Sequence, residues 1–106
     1  METLTYSYPA SGPAPKRALA GVVASGDLEV LLEPATAGAT SVCIHTSVIG
    51  KSKIWGALLS RIFSAGTLPA ATIDINDCGA TPGVVRLRIE QALEELNQPD
   101  VKGRYD

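Results

Sequence analysis

With 106 residues, the chain has the length of one domain, and a two-domain enzyme with a cleft between its domains is excluded. Its 45% hydrophobic and 19% charged residues are those of an ordinary globular chain, not a disordered one. Nine basic residues stand against eleven acidic ones, for a net charge of −2. That leaves no basic surplus for nucleic acid as the main partner or for a polybasic membrane surface site. The N-terminus, Met1-Glu2-Thr3-Leu4-Thr5-Tyr6, has neither a basic stretch nor an apolar one, so no signal peptide is expected. No apolar run approaches the ~20 residues of a membrane helix. The expectation is a soluble, cytoplasmic protein with no direct membrane insertion.

Thr3 to Tyr8 alternates strictly, with Leu4, Tyr6 and Tyr8 on one face, which predicts a half-buried strand. Pro9 to Pro15, rich in proline, reads as a loop. Arg17 to Ala24 is apolar and contains Val22 and Val23, which suits a second strand. Ser25-Gly26-Asp27 punctuates the chain. Leu28, Val30 and Leu32 then alternate with Glu29, Leu31 and Glu33, giving a third strand joined to the second by a tight hairpin. After a turn at Pro34 to Gly38, Thr40 to Val48 is the fourth strand, with Val42, Ile44 and Val48 opposite Ser41, Cys43, His45 and Ser47.

The period then changes. Ile54, Trp55, Leu58, Leu59, Ile62 and Phe63 form one face of an amphipathic helix, with Ser52 as N-cap and Gly66 as the residue that ends it. Ala71, Ile73 and Ile75 alternate with Thr72, Asp74 and Asn76 in a fifth strand. Thr81 caps a last helix that has Pro82 at its first position. Its buried stripe is Val85, Ile89, Ala92, Leu93 and Leu96. Residues 98–106 contain a proline, a glycine and several charges and are expected to be a flexible tail. Two helices are available to cover one face of a meandering sheet. The expected fold is an α+β two-layer sandwich, a mostly antiparallel sheet of about five strands with both helices on one face, formed by residues 1–97.

Little chemistry is housed in this chain. Cys43 and Cys78 with the single His45 do not make a zinc site. A disulfide between the cysteines stays open; two reduced, partly buried thiols are the plainer reading. Gly50-Lys51-Ser52 ends like a phosphate-binding loop, but the first glycine of that pattern would fall on His45. None of Lys16, Lys51, Lys53 and Lys102 sits in the hairpin turn that a biotin or lipoyl carrier needs. A conventional acyl carrier protein is a helical bundle with Asp-Ser-Leu opening a helix, whereas here the candidate serine lies between strands, in Ala24-Ser25-Gly26-Asp27-Leu28. Ser25 would stand at a hairpin apex. Gly26 beside it lets another protein approach the backbone, and Asp27 can order the turn.

The segment from Ala24 to Pro34 resembles the surroundings of the modified serine in the acyl carrier (delta) subunit of malonate decarboxylase. Ile73 to Ala92, with Asp77-Cys78-Gly79-Ala80-Thr81-Pro82-Gly83 at its centre, looks like that family's closing signature. Thr46-Ser47-Val48 leading to Trp55 is similar to its middle. The resemblance implies a non-catalytic carrier with phosphoribosyl-dephospho-CoA joined to the Ser25 hydroxyl by a phosphodiester, and Gly26 and Asp27 supporting the turn. It implies three kinds of partner: a prosthetic-group transferase, an acetyl/malonate transferase subunit and decarboxylase subunits. The terminal thiol would hold acetyl and malonyl as thioesters, whose carbonyl delocalises the charge left when CO₂ departs.

Three other readings compete with this one. The chain would be the gamma carrier of a citrate lyase-type complex, an unmodified small α+β binding module, or a small hydrolase using Ser25 and His45.

Overall fold

Alternation along each strand decides which side of the sheet meets the helices. The computed structural model describes residues 1–36, 38–64 and 68–97; the expected tail and Gly66 lie outside them. Five strands run in chain order: β1 (Glu2–Pro9), β2 (Ala18–Gly21), β3 (Leu28–Pro34), β4 (Ala39–Thr46) and, after helix α1 (Ser52–Phe63), β5 (Ala71–Asp77); helix α2 (Pro82–Glu95) follows. They form one sheet in the order β1-β4-β5-β3-β2. Three of its pairings are antiparallel, and β4 runs parallel to β5. A parallel pair needs a crossover, and α1 supplies it. The expected α+β sandwich, mostly antiparallel with two helices on one face, is the observed architecture.

The register stacks the apolar positions in rows. Leu4, Ile44, Ile75, Val30 and Ala20 lie side by side across the sheet, and Tyr6, Val42, Ile73, Leu32 and Ala18 form the next row. Trp55, Leu59 and Ile62 of α1 and Val85, Ile89 and Ala92 of α2 close over these rows in one core. Among the described residues nothing covers the opposite face, which is mostly polar: Glu29, Cys43, His45, Asp74 and Asn76 are half-buried there, with Leu31 and the exposed Leu19 toward its β2 edge. Tyr8 and Phe63 meet edge to face, with ring centroids 5.1 Å apart, and fasten β1 under the end of α1.

Three element ends differ from the sequence reading. β2 stops at Gly21, so Val22 and Val23, read as strand, are more than half exposed in the following loop. The cause is Gly21 itself. Its φ is 78°, outside the extended range, and a Cβ built there would lie 2.0 Å from the Leu28 carbonyl oxygen. The connection from β2 to β3 is therefore residues 22–27, longer than a tight hairpin. β4 stops at Thr46, where the Thr46 hydroxyl accepts from Val48 N–H at 3.0 Å and bends the chain before Val48. Helix α1 has Lys51 at its cap position with no side-chain hydrogen bond. Ser52 is already helical, and its carbonyl accepts from the Tyr6 hydroxyl at 2.8 Å. The cap of α2 is as read: Thr81 is extended and accepts from Val84 N–H at 3.3 Å, with Pro82 following.

Gly21→Ala is expected to destabilise the protein by more than the ~1–2 kcal/mol of left-handed backbone alone, because the new Cβ meets a backbone oxygen as well as an unfavourable φ. Gly26→Ala has the same φ of 78° but nothing within 4 Å of its Cβ, so its loss should stay near the ~1–2 kcal/mol of left-handed backbone alone. Urea titration of both variants checks the order.

Candidate functional site: the Ser25 turn

Ala24 to Asp27 form a β-turn closed by Asp27 N–H to the Ala24 carbonyl at 2.9 Å. Ser25 occupies the second position and Gly26 the third, where a type II turn requires positive φ; Gly26 has φ 78°. Ala24, Ser25 and Gly26 are all exposed. The second half of the turn is nevertheless held by the chain after β5. Gly26 N–H donates to the Cys78 carbonyl at 2.7 Å, and Cys78 N–H donates to the Asp27 carbonyl at 3.0 Å. The hydroxyl of Ser25 thus stands on a backbone stitched to the turn that follows β5.

Asp27 does more than order the turn. Its Oδ1 accepts from Leu28 N–H at 2.7 Å. Arg88 of α2 donates to both carboxylate oxygens, Nε to Oδ1 at 3.1 Å and Nη2 to Oδ2 at 2.8 Å. A bidentate Arg–carboxylate pair fixes geometry as well as charge. Arg88 Nη1 donates further to Gln91 Oε1 at 3.1 Å. Gly21 belongs to the same device, since a Cβ there would come within 3.2 Å of the Arg88 side chain. α2 thereby ties the Ser25 turn to the helical layer.

Sequence reading singled out Ser25, Gly26 and Asp27, which the structure brings into one turn, and missed Arg88. Arg88 sits sixty-one positions from Asp27, and its neighbours Arg86 and Glu90 look like any wet helix face. Asp77 was also missed. It is buried, with 8% of its surface exposed. Its Oδ2 accepts from the Thr46 hydroxyl at 2.8 Å and from Gly79 N–H at 3.4 Å, and its Oδ1 from Ala80 N–H at 3.0 Å. It shapes the turn against which the Ser25 loop rests. The local signal was an Asp followed two residues on by Gly at a strand end, the composition of an Asx-turn.

His45 lies on the uncovered face of the sheet. Its Nδ1 is 3.3 Å from Thr3 Oγ1 and its Nε2 3.6 Å from Cys43 Sγ. Among the described residues no hydrogen bond joins it to Ser25, so the hydrolase pair is not assembled. Cys43 and Cys78 are free and partly buried.

Hydrogen bonds from Arg88, then from Leu28 N–H, hold the Asp27 carboxyl below its ordinary range. A lowered carboxylate pKa adds stability that is complete above the unfolded value of about 3.9. That stability is lost as pH falls through the lower folded value. Arg88→Met is expected to move the Asp27 titration upward, as read by the carboxyl carbon shift in NMR; an unmoved midpoint would contradict the clamp.

The comparisons with known proteins agree with one another. Residues 15–96 match the acyl carrier family described as malonate decarboxylase delta subunit. A protein of Pseudomonas aeruginosa named malonate decarboxylase acyl carrier protein is 64% identical over 95 residues, which are 90% of this chain and 96% of that one. A relative of the same name from Pseudomonas putida is 55% identical over 96 residues, 91% of this chain and 97% of its own length. A chain in the crystal structure of a Pseudomonas malonate decarboxylase hetero-tetramer in complex with malonate superposes with a TM-score of 0.89 at 55% identity. That superposition covers 92% of this chain and 100% of the other. At this extent of likeness, the chain belongs to the malonate decarboxylase delta subunit family.

Proposed function

We propose that the chain is the acyl carrier of a cytoplasmic malonate decarboxylase, bearing phosphoribosyl-dephospho-CoA on the Ser25 hydroxyl and catalysing no step by itself. One observation supports this most directly: an exposed serine stands on a turn whose backbone is bonded to Cys78 at Gly26 and Asp27, while Ser25 itself stays exposed. The residues present suit a phosphodiester. That linkage is anionic, and the carboxylate two residues on, Asp27, is neutralised by Arg88 at 2.8 Å. Without Arg88, two negative groups would face each other two residues apart. When attached, the group supplies a terminal thiol that holds acetyl and malonyl as thioesters.

The protein's own part is mechanical. The sheet and α2 give the anchor a fixed position, and Gly26 leaves the flank of Ser25 free of a side chain for a transferase to approach. A flexible arm on a rigid anchor presents its cargo to partner sites at high effective concentration, about millimolar for a short tether. The partners are then the prosthetic-group transferase, the acetyl/malonate transferase subunit and the decarboxylase subunits. The likeness to a chain of a malonate decarboxylase hetero-tetramer favours this assembly over a citrate lyase-type complex or a free-standing binding module.

Intact mass of the protein purified from its native host, followed by a digest, tests the reading. A single adduct on the peptide containing Ser25 is expected. A mass equal to that of the bare sequence would overturn the proposal.

A further inference from the structure

A groove of about 300 Å³ opens between the N-terminal ends of α1 and α2. Its walls are apolar: Val48, Ile54, Trp55, Leu58, Pro82 and Val85. Lys51 lies on its lining, and the Gly79–Ala80 turn forms one side. That same turn follows Cys78, whose carbonyl and N–H hold the Ser25 loop at 2.7 and 3.0 Å. The anchor point and the groove therefore border the same short turn. A larger cavity, of about 420 Å³, lies toward the other end of the sheet, among Ser11, Phe63, Leu68 and Leu96. It borders the C-terminal end of α2 and the start of β5, whereas Ser25 stands beside the end of β5.

We propose that the groove between α1 and α2 binds the acyl thioester end of the arm on Ser25, shielding it from water between visits to partner sites. This rests on the carrier reading above. Size suits the occupant. At ~30 Å³ for each water-sized group the groove takes about ten such groups, enough for an acetyl thioester and the adjoining methylene and amide groups, and too few for the nucleotide. Chemistry suits it too. The acetyl methyl and the sulfur are apolar and gain from leaving water. The one carboxylate on the wall, Asp77, already accepts from Thr46, Gly79 and Ala80. Tethering makes weak affinity sufficient, because an arm at about millimolar effective concentration half-fills a site of millimolar affinity. A groove that covers one side of a reactive ester slows the attack of water on it.

Trp55 is the only tryptophan in the chain, so its emission reports on the groove. The transferase is used to load the protein, mass spectrometry locates the adduct, and the thiol form and the acetylated form are compared. The expected result is a Trp55 emission that changes on acetylation. Hydroxylamine should cleave the acetyl thioester at least about twofold more slowly than in two variants. Ala80→Phe fills the groove. Ile54→Glu, at a position 49% exposed and so tolerant of charge, makes its wall polar. An adduct at Ser25 with unchanged emission and equal cleavage rates in all three proteins would overturn the groove proposal and leave the carrier reading standing. Absence of any adduct would overturn both.

Discussion

Ser25→Ala is expected to leave the protein folded and to abolish its modification completely. The substitution removes an exposed turn hydroxyl, and surface changes of this kind stay within about 0.5 kcal/mol. The turn keeps its frame, because the bonds from Gly26 and Cys78 and the Asp27–Arg88 pair involve no atom of the Ser25 side chain. What is lost is the nucleophilic oxygen of the phosphodiester. Incubated with the transferase and its coenzyme A-derived donor, the variant should gain no mass, and a decarboxylase reconstituted with it should be inactive. Serines inside regular elements do not offer the same site. Ser41 lies in β4 and Ser60 in α1, each bound into a regular element. A Ser25→Ala protein that still acquires the adduct, or still supports decarboxylation, would refute the assignment. Gly26→Val should be modified more slowly. Among the described residues nothing lies within 4 Å of a Cβ at that position, so the effect would come from straining a φ of 78° and from bulk on the approach to Ser25.

Trp55→Ala should produce the largest loss of stability, about 3–5 kcal/mol, as truncation of a buried aromatic does. The indole is 6% exposed and packs in the core with Leu59 and Ile62 of its own helix. Against a total of roughly 5–15 kcal/mol for a domain, this is a large fraction. A denaturant titration should show the midpoint falling with the slope unchanged. A loss below about 1 kcal/mol would mean that the side chain is not packed as the structure has it. The same substitution removes one wall of the groove between the helices, which is why the groove is tested with Ala80→Phe and Ile54→Glu instead.

How much of this was legible beforehand differs by element. The seven elements, their faces and the α2 cap could be read from local sequence. Period-two alternation in Thr3–Tyr8, Leu28–Glu33 and Ala71–Asn76 reports which side chains share a sheet face, and Thr81-Pro82 writes a helix start in two residues. Ser25-Gly26-Asp27 reads as a turn for the same local reason. The end of β2 was misread because Val22 and Val23 favour strands, while the backbone at Gly21 had already turned away to clear the Leu28 carbonyl.

The sequence by itself determined the secondary structure, the sandwich of sheet and helices, the exposed Ser25 turn and, through its segments around Ser25 and Asp77–Gly83, the family. Only the tertiary structure decided the strand order, with β5 inserted between β4 and β3, the parallel β4–β5 pair, the Asp27–Arg88 clamp, the buried Asp77 and the groove beside the anchor. The physical reason is range. Periodicity and capping are set by neighbours within a turn or two of the chain, and they mark the sequence directly. Strand order and the meeting of Asp27 with Arg88 depend on which distant faces bury each other, and residues that meet that way leave no local pattern.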